Sequence, residues 1–75
     1  MTAINTAIVA NLLALAEGLA QASQLAAEAH EAMAKGGRNQ AIGTVLPLEH
    51  DLPVYAGLLT AILALHRKAG RGGEP

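Results

Sequence analysis

The chain has 75 residues, enough for one small domain that buries only ~60% of its unfolded surface. With 0 Cys, neither a disulfide nor a thiolate metal site can reinforce so small a core. Five basic against six acidic residues, for a net charge of −1, exclude a strong field toward nucleic acid, while 52% apolar against 15% charged residues excludes a disordered chain.

Seventeen Ala and twelve Leu, with Tyr55 the sole aromatic, make a helical composition. The fold class expected is all-α: a long helix, an irregular Pro/Gly linker and a shorter helix. A single hairpin domain is expected over residues 1–69, followed by a flexible tail at 70–75.

Helix 1 is predicted over about residues 3–35, a stretch with no Pro and one internal Gly, Gly18. Taking Met1 as a d position, a heptad reads Asn5 (a), Ile8 (d), Leu12 (a), Leu15 (d), Leu19 (a), Ala22 (d), Ala26 (a), Ala29 (d) and Met33 (a). This unbroken 3–4 spacing is the pattern of a left-handed packed seam. It nominates Ile8, Leu12, Leu15, Leu19, Ala22 and Ala26 as a dimer seam. Opposite them lies a polar stripe of Glu17, Gln21, Gln24, Glu28, Glu31 and Lys35.

Before Glu17 that stripe is replaced by Ala3, Ala7, Ala10 and Ala14, so the first half of the helix is apolar nearly all round. A soluble helix of that kind is buried on several sides, and one further short helix cannot surround it. Asn5 reads as an exposed residue at a fraying end. Gly36-Gly37 after Lys35 is the expected stop, since glycine takes the left-handed position that closes a helix.

Residues 36–51 (GGRNQAIGTVLPLEHD) are expected to be linker, lying against the bundle through Ile42, Val45, Leu46 and Leu48. Pro47 and Pro53 each disfavour a helix through the residue before them. Asp51 is then the N-cap of helix 2, with Pro53 in its first turn, and the helix is expected over about 52–69. Gly57 and Ala61, four apart, suggest close helix contact. At 1.5 Å per residue helix 1 is ~50 Å long and helix 2 ~27 Å. Two chains paired through helix 1, each with helix 2 folded back, would cover the uncovered half as a four-helix bundle.

The chain offers little to a catalytic reading. Ser23 is the single serine and lies mid-helix; no HExxH, His–x3–His or phosphate-binding loop occurs. His30, His50 and His66 read as solvated or capping residues, so no enzyme, metal or cofactor is expected. Arg67, Lys68 and Arg71 form a basic end. Without Phe or Trp for stacking this end supports only a weak nucleic-acid-binding regulator.

The N-terminal run has no basic residue before Lys35, unlike a signal peptide, and a cytoplasmic location is expected. A membrane-active hairpin is the alternative. It would use residues 3–16 and 52–66, each run short of the ~20 residues a span needs.

The favoured expectation is a non-enzymatic homodimer, or higher homo-oligomer, that acts on a protein partner as adaptor, regulator or inhibitor. Small proteins of this style are often encoded by phages and other mobile elements. The expected partner surface is Val45, Leu46, Leu48, Tyr55, Leu58 and Leu59, with Tyr55 as its anchor.

Overall fold

The computed structural model describes residues 2–71. Within that range the chain is two helices of nearly equal length, α1 (Ala3–Ala34, 32 residues) and α2 (Arg38–Arg71, 34 residues). They fold against each other as an antiparallel hairpin, giving a rod of 57 × 18 × 13 Å.

Both ends of α1 are closed by local chemistry. Thr2 is the N-cap, its Oγ1 accepting from the Asn5 amide at 3.1 Å. At the other end Gly36 adopts φ +84°, a conformation costly for any residue with a Cβ. The Gly36 amide donates to Met33 O at 2.9 Å and the Gly37 amide to Ala32 O at 2.8 Å. This 5→2 and 6→1 pair is a Schellman closure. Gly37 O then accepts from the Ala41 amide at 2.9 Å, so α2 starts almost at once.

The expected linker is therefore corrected: most of residues 36–51 is the first third of α2, and Asp51 is an interior, half-buried residue rather than a cap. Pro47 and Pro53 sit inside the helix. Each deletes the amide that would bond the carbonyl four residues back, Gly43 or Glu49. Pro47, Pro53, Gly43 and Glu49 are all exposed, so water can satisfy the freed carbonyls. Within this first third the Thr44 hydroxyl donates back to Gln40 O at 2.9 Å. Packing compensates on the other side of α2, where the contacts to α1 run unbroken past both prolines.

The seam itself has heptad spacing on both helices. On α1 the residues turned inward are Ile4, Ile8, Asn11, Leu15, Gly18, Ala22, Leu25, Ala29 and Ala32; on α2 they are Ala41, Val45, Leu48, Asp51, Tyr55, Leu58, Ile62, Leu65 and Ala69. Steps of three and four alternate along α1, as in coiled-coil packing, and along α2 except between Val45 and Asp51, where two steps of three follow each other beside the prolines. The closest approach is at Gly18. A Cβ there would overlap the Tyr55 ring, lying 2.7 Å from its Cζ. Gly57, by contrast, has nothing near it, and Ala61 is exposed. The small-residue contact expected from Gly57 and Ala61 is thus corrected to one at Gly18.

The core is thin. Its most buried apolar members are Ala22, Ala29, Ala32, Ala41 and Ile62, and among the described residues no large side chain is fully buried. The accessible surface is 5495 Å², against about 4,300 Å² for a compact monomer of this mass.

Candidate interaction surface

A one-residue step turns a helix by ~100°, and it does so in opposite senses for two antiparallel helices seen from one end. Residues that follow seam positions on α1 therefore share a flank of the rod with residues that follow seam positions on α2. The residues that precede seam positions share the other flank. The second case is visible at the turn, where Glu28 and Glu31 of α1 line one shallow groove with Gln40 and Thr44 of α2, beside Lys35.

The first flank is apolar along most of its length. It carries Val9, Leu12, Leu19 and Met33 from α1, and Ile42, Leu46, Leu52, Leu59 and Leu63 from α2. Among the described residues eleven large apolar side chains are markedly exposed, by 43–61%, and these are nine of them. Only Leu13 and Val54 point elsewhere. Ser23, Ala26 and His30 lie on the α1 side between Leu19 and Met33, and Glu49 and His66 are the ionisable residues of the α2 side of this flank. The opposite flank is polar over the turn half, through Glu17, Gln21, Gln24, Glu28 and Glu31, which are all exposed. Toward the open end it becomes a field of small residues, Ala3, Ala10, Ala14, Gly57, Ala61 and Ala64. The one ion pair among the described residues is Lys35 Nζ to Glu31 Oε1 at 3.2 Å, on the surface.

The expected dimer seam divides between two surfaces. Ile8, Leu15 and Ala22 face the chain's own α2, whereas Leu12, Leu19 and Ala26 are exposed. The sequence heptad was shared correctly at its d positions. At the other set the inward residues are those one place earlier, Ile4, Asn11, Gly18, Leu25 and Ala32. A polar Asn and a Gly there gave the pattern no apolar signal, and the Leu residues beside them did.

The expected partner surface divides likewise. Val45, Leu48, Tyr55 and Leu58 are half-buried in the seam, and Leu46 and Leu59 are exposed. Tyr55 packs over Gly18 and is not a free anchor. In the basic end Arg67 and Lys68 are exposed and Arg71 closes α2. Of the expected tail, residues 72–75 lie outside the described range, as does Met1. No group of three or more His, Asp or Glu that could hold a metal ion occurs among the described residues.

Both helices are long and apolar enough to cross a membrane, with mean hydropathy 1.5 and 1.3 over their best windows and 6% of each window buried. Residues 2–16 and 52–65 carry no side chain charged at neutral pH. The hairpin register sets much of these two runs side by side at the open end. No protein-family model, curated protein or solved structure matches the chain.

Proposed function

We propose that the chain is a non-enzymatic interaction module that joins a second copy of itself through the apolar flank, forming a four-helix arrangement. In this state it engages a protein partner as an adaptor, regulator or inhibitor, in the manner of small proteins encoded by phages and mobile elements. The observation that carries the reading is the concentration of large apolar side chains on one side of the rod. Monomeric soluble proteins rarely expose a contiguous apolar patch beyond a few hundred Å². The flank is a strip 57 Å by 18 Å, on the order of 1,000 Å², and a standard interface uses about 800 Å² per partner. The thin alanine core points the same way, because a hairpin this small gains most of its stability from what it joins.

Sedimentation of the purified chain without detergent tests the reading: a dimer or higher oligomer is expected, and a stable monomer at micromolar concentration overturns it. The Leu12→Glu variant, which places a charge on the flank, should shift the equilibrium to monomer.

The membrane-active hairpin is the second reading, favoured by the uncharged open half and the hydropathy of both helices. There the apolar flank would lie against lipid, with Arg67, Lys68 and Arg71 at the head groups. Recovery solely from the membrane fraction would replace the first reading with this one.

A further inference from the structure

We infer that the apolar flank is a pH-sensitive interface: the dimer forms with His30 and His66 uncharged and dissociates as they gain protons. This rests on the dimer proposed above and adds its regulation. Histidine is the side chain that changes charge between about pH 8 and 5. Two of the three in the chain follow seam residues, His30 after Ala29 on α1 and His66 after Leu65 on α2. Both are exposed, and both stand on the flank that the second copy covers. His50 precedes the seam residue Asp51 and so lies on the opposite flank.

Within the chain, no carboxylate is placed to hold the added charges. Gly18 packs on Tyr55, and from that contact His30 stands twelve residues toward the turn and His66 eleven toward the open end. The flank residues level with His30 on α2 are therefore Ile42 and Leu46. Those level with His66 on α1 are Asn5 and Val9. Along their own helices the flank neighbours are Ala26 and Met33 for His30, Leu63 and Gly70 for His66. Glu49, the carboxylate of this flank, is ~9 Å along the rod from His30, on the other helix, and ~25 Å from His66. Glu31, next to His30 in sequence, is on the opposite flank and paired with Lys35. Arg67 and Lys68, next to His66, are cations and oppose a further positive charge.

The direction of stacking does not alter this. The two histidines are almost equally far from the Gly18–Tyr55 contact, so a fully overlapped second copy sets the same residues against them either way. In antiparallel stacking His30 meets Asn5 and Val9 of the second copy, and His66 meets Ile42 and Leu46. In parallel stacking the two sets exchange. Glu49 faces Leu59 and Leu63 in the first case, Ser23 and Ala26 in the second, and neither histidine in either. Burying an unpaired charge is costly, so the monomer, with its imidazoles open to water, takes up protons more readily than the dimer. By linkage, association is strongest above the range in which histidine titrates and is lost as the pH falls through it.

Sedimentation of the full chain at about pH 8 and about pH 5.5, at fixed ionic strength, reads this directly. The dissociation constant should rise about tenfold or more on acidification. In the double variant His30→Gln and His66→Gln the ratio of the two constants should fall close to one, whatever the affinity at the higher pH. His50→Gln, off the flank, should keep the parental ratio. A parent dimer that is equally tight in acid overturns the inference and leaves the dimer standing. So does one that tightens, as a His66–Glu49 pair between copies would make it. A full acid response in the double variant, or its loss in His50→Gln, overturns it as well. Monomers at the higher pH overturn the dimer itself.

Discussion

The two faces that α1 presents, one toward α2 and one toward the apolar flank, differ by a single residue step along the same helix. Leu15 lies in the seam and is half-buried, while Leu12 and Leu19, three before and four after it, stand half exposed on the flank. In hydropathy the two sets are alike. What separates them is that α2 supplies a partner for one set, whereas nothing within the chain covers the other. The same side-chain type therefore stabilises the hairpin at one position and drives association at the next.

Charge substitutions break this comparison most sharply. Leu15→Glu places a carboxylate between the helices, and the hairpin should lose at least ~3 kcal/mol and its helical circular dichroism at every protein concentration. Leu12→Glu should instead raise the dissociation constant about 100-fold or more, an effect on the order of 3 kcal/mol. Its helicity should return to that of the parent as concentration rises. Parent-like dimerisation of the Leu12 variant would show that the flank is not the interface.

A gentler change sharpens the account of the seam. Gly18→Ala gains ~1 kcal/mol of helix propensity but forces the new methyl into the Tyr55 ring, and overpacking costs ~1–3 kcal/mol. A net loss of about 1 kcal/mol in chemical denaturation is expected. In a Tyr55→Ala background the same substitution should become stabilising, a reversal of sign that only direct contact produces. Smallest of all, Glu28→Ala on the polar flank should alter stability by no more than ~0.5 kcal/mol.

Length mismatch between the helices was one reason to expect a second copy, and the structure removes it. With α2 running from Arg38, both helices are about 50 Å long, and neither has an uncovered half. The excess apolar surface is lateral. It lies beside the seam along the rod, so the case for self-association moves from the open end to the Leu12, Leu19, Leu46 and Leu59 flank.

The linker was misread because each local rule applied to it was sound but incomplete. Pro47 and Pro53 do weaken a helix, and Gly43-Thr44 does suggest a break. Against those costs, Ala41, Val45, Leu48, Asp51 and Tyr55 are all buried or half-buried along the side of α2 turned to α1, and the prolines face water. The Tyr55–Gly18 contact was hidden for a related reason. A glycine in a helix and a lone tyrosine 37 places later have no shared period, and only the hairpin register makes them neighbours.

From the sequence alone came the all-α class, the bounds of α1, the Gly36 closure and the polar stripe, because these depend on propensity and on contacts within a few residues. Tertiary structure decided the rest: where α2 starts, which of two neighbouring apolar sets on α1 faces inward, and which is left outside. Those outcomes depend on how one helix lies against the other, a relation between residues distant in the chain that no local period contains.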